Sequence, residues 1–270
     1  MRQLRSPSRW TWALLVIATA FIAACDNSLE GINLQRTWGF VTVSALKDAN
    51  DAHFADVEGL FFQGNLSSVP NSDFSADTCS DVAFTSGGGN LSGVTHLDAG
   101  EVVTATMGGV ETLMERTTTA NGLAYAPPDP VPFTPGDSIV VDIQGASGGF
   151  PAGSIRAKTA EAFTFPAIID PPSGTEAIQL AWSAPQTTGS VLVVSLRYAP
   201  ASSPTLSRQV LCNFIDDGVD SIPFRWHQNW SATSGERVVV ATRLRTHYVA
   251  IGDANLGVIS TYEFPTPQIP

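Results

Sequence analysis

From Thr37 onward the apolar positions recur every second residue. That is the spacing of strands with one face on a core and the other in water. Across 139–144, Ile139, Val141 and Ile143 share a face. Ile178, Leu180 and Trp182 alternate with Gln179, Ala181 and Ser183, and Leu192, Val194, Leu196 and Tyr198 share a face of the next run. Across 238–248, Val238, Val240, Leu244 and Tyr248 lie opposite Arg243, Arg245 and His247, which predicts a strand with its arginines in water. A last strand is predicted over 256–264, with Val258, Tyr262 and Phe264 on the apolar side.

Turn signals separate these runs: Gly87-Gly88-Gly89-Asn90, Pro135-Gly136-Asp137, Asp217-Gly218 and Ser234-Gly235. Short helices are expected only over 48–57 and 154–163. Many short strands with turns between them predict an all-β chain of sandwich type. Pro171 and Pro172 bar helix and central strand alike, which places a boundary there. The expected organisation is a signal peptide over 1–24, a tether over 25–36, a β-rich domain over 37–168 and a β-sandwich over 169–270. The last piece has the size of an immunoglobulin-like domain.

The first residues change the picture from fold to address. Arg2, Arg5 and Arg9 make a positive start, and no acid precedes Asp26. Residues 10–24 are uncharged and mostly apolar. They fall short of the roughly 20 residues a spanning helix needs and match a signal-peptide core. The run ends Ile22-Ala23-Ala24-Cys25, which resembles the lipobox of bacterial lipoproteins. The resemblance covers residues 1–26. It implies a diacylglyceryl thioether on Cys25, cleavage after Ala24, no retained signal peptide and a cell-envelope address, facing periplasm or exterior. Asp26 fits the inner-membrane retention rule of enteric bacteria. In the mature part, Cys212-Asn213-Phe214-Ile215-Asp216-Asp217-Gly218 with Ile222-Pro223 resembles a segment of uncharacterised secreted bacterial β-sandwich lipoproteins, and that implies no activity.

Charge narrows the partners. The chain has 14 Lys plus Arg against 25 Asp plus Glu. Removal of residues 1–24 takes away three arginines and no acid, which leaves the mature protein more acidic still. Such a surface repels nucleic acid and anionic headgroups. The expected membrane contact is therefore the acyl anchor at Cys25, and any protein or glycan partner is unspecified.

Two cysteines remain after Cys25. In an oxidising compartment Cys79 and Cys212 can pair across the two halves of the chain. Each also reads as a buried, small apolar residue.

Candidate chemistry is sparse. Gly145-Ala146-Ser147-Gly148-Gly149 matches the pattern of a hydrolase nucleophile elbow and follows a predicted strand, with Asp216 and His227 or His247 downstream. An elbow needs a helix immediately after the serine, and Phe150-Pro151-Ala152-Gly153 is a poor helix start. The four histidines, His53, His96, His227 and His247, are scattered, without zinc-ligand spacing. Asp216, Asp217 and Asp220 cluster around Gly218 as candidate calcium ligands, but acids also populate turns for their own backbone contacts. The series from Asp48 and from Asp253 fail the EF-hand pattern. His53 takes the glycine position of the first, and Phe264 the final glutamate position of the second. Trp226 and Trp230 are candidate ligand-facing aromatics, which one extended strand would place on a single face.

The leading expectation is a lipid-anchored, non-enzymatic envelope protein serving structure, adhesion or binding, with no cofactor and no metal. A carbohydrate- or peptide-binding accessory module is the alternative, and it requires an exposed Trp226 or Trp230. An envelope serine hydrolase using Ser147 is the third reading, and it requires a histidine in contact with that serine.

Overall fold

A computed structural model describes residues 37–47, 52–64, 77–84, 94–119, 122–166, 168, 175–201, 203 and 205–264. Cys25, the lipobox, Asp48 and the proline pair at 171–172 lie outside them. The chain is all-β and sandwich-like, with seventeen strands and one helix among the described residues.

The base of the fold is an 11-stranded sheet. From one edge it runs β3 (Thr78–Ala83), β14 (Arg208–Ile215), β13 (Ser190–Tyr198), β16 (Arg237–Ile251), β17 (Ala254–Phe264), β1 (Thr37–Lys47), β2 (His53–Gln63), β8 (Gly122–Ala126) and β7 (Glu115–Thr119). The short β4 (Thr95–His96) and β9 (Val131–Pro132) also pair with β2. β1 and β17 are parallel, while the other pairs in this sheet are antiparallel.

This sheet joins strands from both expected segments. β1 hydrogen-bonds to β17, and β3 to β14. Two second-layer units then cover different stretches of the same face. One is a four-stranded sheet of β11 (Gly153–Lys158), β10 (Ser138–Ile143), β5 (Val103–Met107) and β6 (Val110–Leu113). Its Met107, Ile139, Val141 and Ile155 pack with Val41, Val43, Leu256 and Val258 of the large sheet. The other combines the pair β12 (Ile178–Ala181) and β15 (Val219–Ile222) with α1 (Phe224–Ala232). Here Leu180, Ile222 and Trp230 pack with Leu192, Val194, Val239 and Tyr262. The result is two cores against one shared sheet.

On the opposite face a third apolar cluster runs across six strands, from Leu211 through Val193, Leu244 and Ile259 to Phe40 and Phe62. Both faces of 239–244 are therefore buried. The alternation across 238–248 has the expected parity, but the arginine face does not meet water throughout. Arg243 lies inside the second core.

Two expected helices are strands. β2 takes up His53 to Val57, and β11 takes up Ser154 to Lys158. In β11 Ile155 and Ala157 are buried while Ser154, Arg156 and Lys158 are exposed, which is a period of two. Conversely, the aromatic stretch read as extended is the helix α1. Pro223 at its N-cap fixes a φ of −59°, and His227 and Trp230, three residues apart, are its buried side chains.

Candidate functional site

The candidate site lies beside the β11 edge of the four-stranded unit, over β16 and next to the loop before β13. β16 crosses beneath both units. Val249 and Ile251 pack on the first core, and Val239 and Ala241 belong to the second. Between them Arg245 and His247 fall on the same face of the sheet, since their register partners Ser260 and Val258 belong to the same every-second-residue series as Leu256 and Tyr262. β11, an edge strand of the four-stranded sheet, lies against β16 and β17. Its Arg156 and Lys158, two residues apart, point to one side. Thr188 and Gly189, from the loop before β13, complete a cleft of about 570 Å³. That is the size range of small-ligand pockets.

The 186–189 loop is tied down from below. Arg245 donates through Nη1 to the Thr187 hydroxyl at 2.6 Å and through Nη2 to the Thr188 carbonyl. Glu161 accepts from the amides of Gln186 at 2.7 Å and Thr187 at 3.0 Å, and from the Thr187 hydroxyl at 2.6 Å. Burial pushes the Glu161 carboxyl up, but the Thr187 hydroxyl and the two amides outweigh it, so the group lies below the usual carboxylate range. Glu161 also stands 4.0 Å from Arg245 and partly offsets its charge.

Arg156 and Lys158 differ from the other basic side chains. Arg116 pairs with Asp98, Arg208 with Asp81 and Arg243 with Asp216. Arg197 lies over Phe84, Arg225 over Trp226 and Arg237 over Trp230. Among the described residues Arg156 and Lys158 have neither a carboxylate partner nor an aromatic face. In β10 Asp142 pairs in register with Ser154, and the Asp137 carbonyl accepts from the Thr159 amide next to Lys158.

The residues singled out in the sequence go elsewhere. Cys79 and Cys212 are register partners on β3 and β14 and are joined by a disulfide. Asp216 is buried, and its oxygens are taken by Arg243, by Trp182 Nε1 at 2.7 Å and by the Ser190 hydroxyl at 2.6 Å. Asp217 is exposed and accepts from the Val219 amide at 3.3 Å, and Asp220 accepts from the Ser221 amide at 2.6 Å. The three do not converge into a calcium cage, and no group of His, Cys, Asp or Glu among the described residues is arranged to hold a metal ion. Turn chemistry accounts for Asp217 and Asp220, and ion pairing for Asp216. Burial, followed by the charges of Asp77 and Asp217, pushes the Asp220 carboxyl up, and the Ser221 amide opposes that.

Ser147 lies in the exposed hairpin loop between β10 and β11. Strand, not helix, follows it, and it has no hydrogen bond to a histidine among the described residues. The glycines of this loop serve its backbone path: Gly145 and Gly148 have φ of 79° and 72°, and a Cβ on Gly149 would meet the Asp98 carbonyl oxygen. Ala146 donates to the Phe150 carbonyl at 3.0 Å, which turns the fully buried Phe150 ring onto Gly39. A Cβ on Gly39 would stand 2.8 Å from the Phe150 and Phe61 rings.

Trp230 is fully buried, and Trp226 is half-buried against the second core. Helical spacing of four does place them on one side, but that side is the inner one. His227 is buried beside them, with Nδ1 against the Ser231 hydroxyl at 2.8 Å and Nε2 against the Glu176 carbonyl at 3.0 Å, and burial pushes its pKa down. These are contacts that hold the helix in place.

The cleft was not legible in the sequence, because β11 and β16 are some ninety residues apart. The available signal was local: Arg156 and Lys158 alternate with Ile155 and Ala157. No family model matches the chain, and no curated protein and no solved structure matches it. No helix among the described residues is long and apolar enough to cross a membrane.

Proposed function

We propose that the protein is a lipid-anchored, non-enzymatic component of a bacterial cell envelope, serving structure, adhesion or binding. The observation that carries this reading is the ordered series of arginine start, apolar core and Ile22-Ala23-Ala24-Cys25. Two acyl chains on one residue give stable anchoring where a single chain gives marginal binding. Eleven residues separate Cys25 from β1, a length of chain that can reach at most about 40 Å, so the folded part stays near the membrane.

The folded part is braced by a disulfide across two strands and by a buried ion pair between β16 and the turn after β14. Disulfides suit an oxidising compartment outside the cytoplasm. Ser147 has no hydrogen bond to a histidine among the described residues, and of the two tryptophans Trp230 is buried while Trp226 is half-buried against the second core.

The test is fractionation of Cys25→Ala. The native protein should stay with membranes through a carbonate wash, and the variant should be released. A variant that remains in the membrane fraction would overturn the reading.

A further inference from the structure

The geometry points to the cleft between β11 and β16 as a binding site for a multivalent oxyanion, a small ligand carrying two or more phosphate or carboxylate groups. Three observations carry this. The first is enrichment: a chain of net charge −11 with only 14 basic residues gathers Arg156, Lys158 and Arg245, with His247, around one cleft. Random placement on an acidic surface would more readily pair such cations with carboxylates.

The second is availability. Arg156 and Lys158 are the described basic side chains left without an acidic or aromatic partner, whereas Arg245 is partly spent on Glu161 and the 187–188 backbone. Arg156 and Lys158 are therefore the ligand-binding pair. Arg245 is a positioning residue, which fixes the wall formed by Thr188 and Gly189.

The third is spacing. Residues two apart on a strand lie roughly 6.5 to 7 Å apart. The cleft is thus lined by the cations Arg156 and Lys158 from β11 and, from β16, by the partly offset Arg245 and the His247 ring. A single-charge anion can engage only one member of such an array. A ligand with two or more charged groups at comparable spacing engages several at once, and a guanidinium offers paired donors to a phosphate or carboxylate. Anions longer than the cleft can enter it by one end, but the lining fits a small ligand of a few charged groups.

The inference does not depend on the lipid anchor. It is tested by isothermal titration of the full-length protein in neutral detergent with two probes, tripolyphosphate and citrate, at low salt. The expected result is saturable one-site binding of at least one probe, weakened about tenfold in Arg156→Ala/Lys158→Ala, as the loss of charge-assisted hydrogen bonds implies. Binding should also weaken as salt is raised, because the site is open to screening. Both substitutions lie on an exposed face, so circular dichroism should be unchanged. Arg225→Ala, an exposed cation outside the cleft, should bind like the native protein. Preference for tripolyphosphate assigns phosphate ligands, and preference for citrate assigns carboxylates. Absence of saturable binding by either probe, or equal binding by the native protein and the double variant, would overturn the proposal.

Discussion

Arg243 grips Asp216 from two sides, with Nε 2.6 Å from Oδ2 and Nη2 2.9 Å from Oδ1, and both side chains are 1% exposed. The remaining donors are also used. Nη2 reaches the Ser183 carbonyl at 2.6 Å and Nη1 the Ala162 carbonyl at 3.2 Å. The Phe163 ring stacks on the guanidinium 4.9 Å away. One side chain thereby ties β16 to the turn after β14, the segment at 161–163 and the strand end at Ser183.

A buried charge stripped of its partner is costly, whereas removal of both charges leaves less to compensate. Arg243→Ala should therefore destabilise by about 3 to 5 kcal/mol. Asp216→Ala/Arg243→Ala should cost less than the two single substitutions added together. Denaturant midpoints of the four proteins check this, and simple additivity would contradict it.

The disulfide closes a loop with a sequence separation of 133 residues, between an edge strand and its neighbour. Chain entropy gives about 4 to 5 kcal/mol for a loop of that length. Cys79→Ser/Cys212→Ser should lower stability by that order, measured by urea unfolding. The loss should fall on β3 first, since an edge strand has a single partner strand to hold it. Hydrogen exchange should report faster opening of residues 78–83.

Much of this architecture could be read from period two alone. The strands over 139–144, 192–198 and 256–264 have the expected faces, because a residue's side of a strand is set locally. What escaped was which faces meet water. The arginines at 243 and 245 look solvated in sequence, and nothing near them announces Asp216, 27 positions earlier, or a covering layer. The stretch 154–163 misled for a related reason: its short apolar residues suit a helix, and only pairing with β10 decides for a strand. α1 had a legible signal in Pro223 and in the three-residue spacing of His227 and Trp230, but two tryptophans four apart satisfy either period. The cleft combines residues from strands that meet only through topology, so the alternation of Arg156 and Lys158 with Ile155 and Ala157 was legible but not what they would face.

Gly39 is required by close approach rather than by turn geometry. Its Cα faces the Phe150 and Phe61 rings, and an added methyl would stand 2.8 Å from both. Gly39→Ala should therefore cost about 1 to 3 kcal/mol by overpacking. The same change at Gly108, where nothing lies within 4 Å, meets only the strain of its positive φ of 56°. Thermal melts of the two variants compare packing with backbone strain.

Asp56 gives the fold a pH dependence of defined sign. Burial, followed by the neighbouring Glu58 charge, pushes its pKa from 3.8 up to about 6. The folded protein therefore holds this proton more tightly than the unfolded chain. The group's contribution to stability is full below about 4, declines as pH rises, and is lost above about 6. Glu58 is also raised by burial and acts with the same sign. Asp56→Asn should stabilise at pH 7 by about 1 kcal/mol, since water still reaches the carboxylate and reduces the effect. It should also flatten the stability profile between pH 4 and 6. A steeper profile in the variant would contradict the assignment.

The lipid anchor can be weighed outright, through the intact mass of the protein extracted with detergent from its native membrane. The expected mass is that of a chain beginning at Cys25 and carrying a diacylglyceryl group, two hydrogens lighter for the Cys79–Cys212 bond. A chain that keeps residues 1–24, or one that begins near Cys25 without lipid, would contradict it.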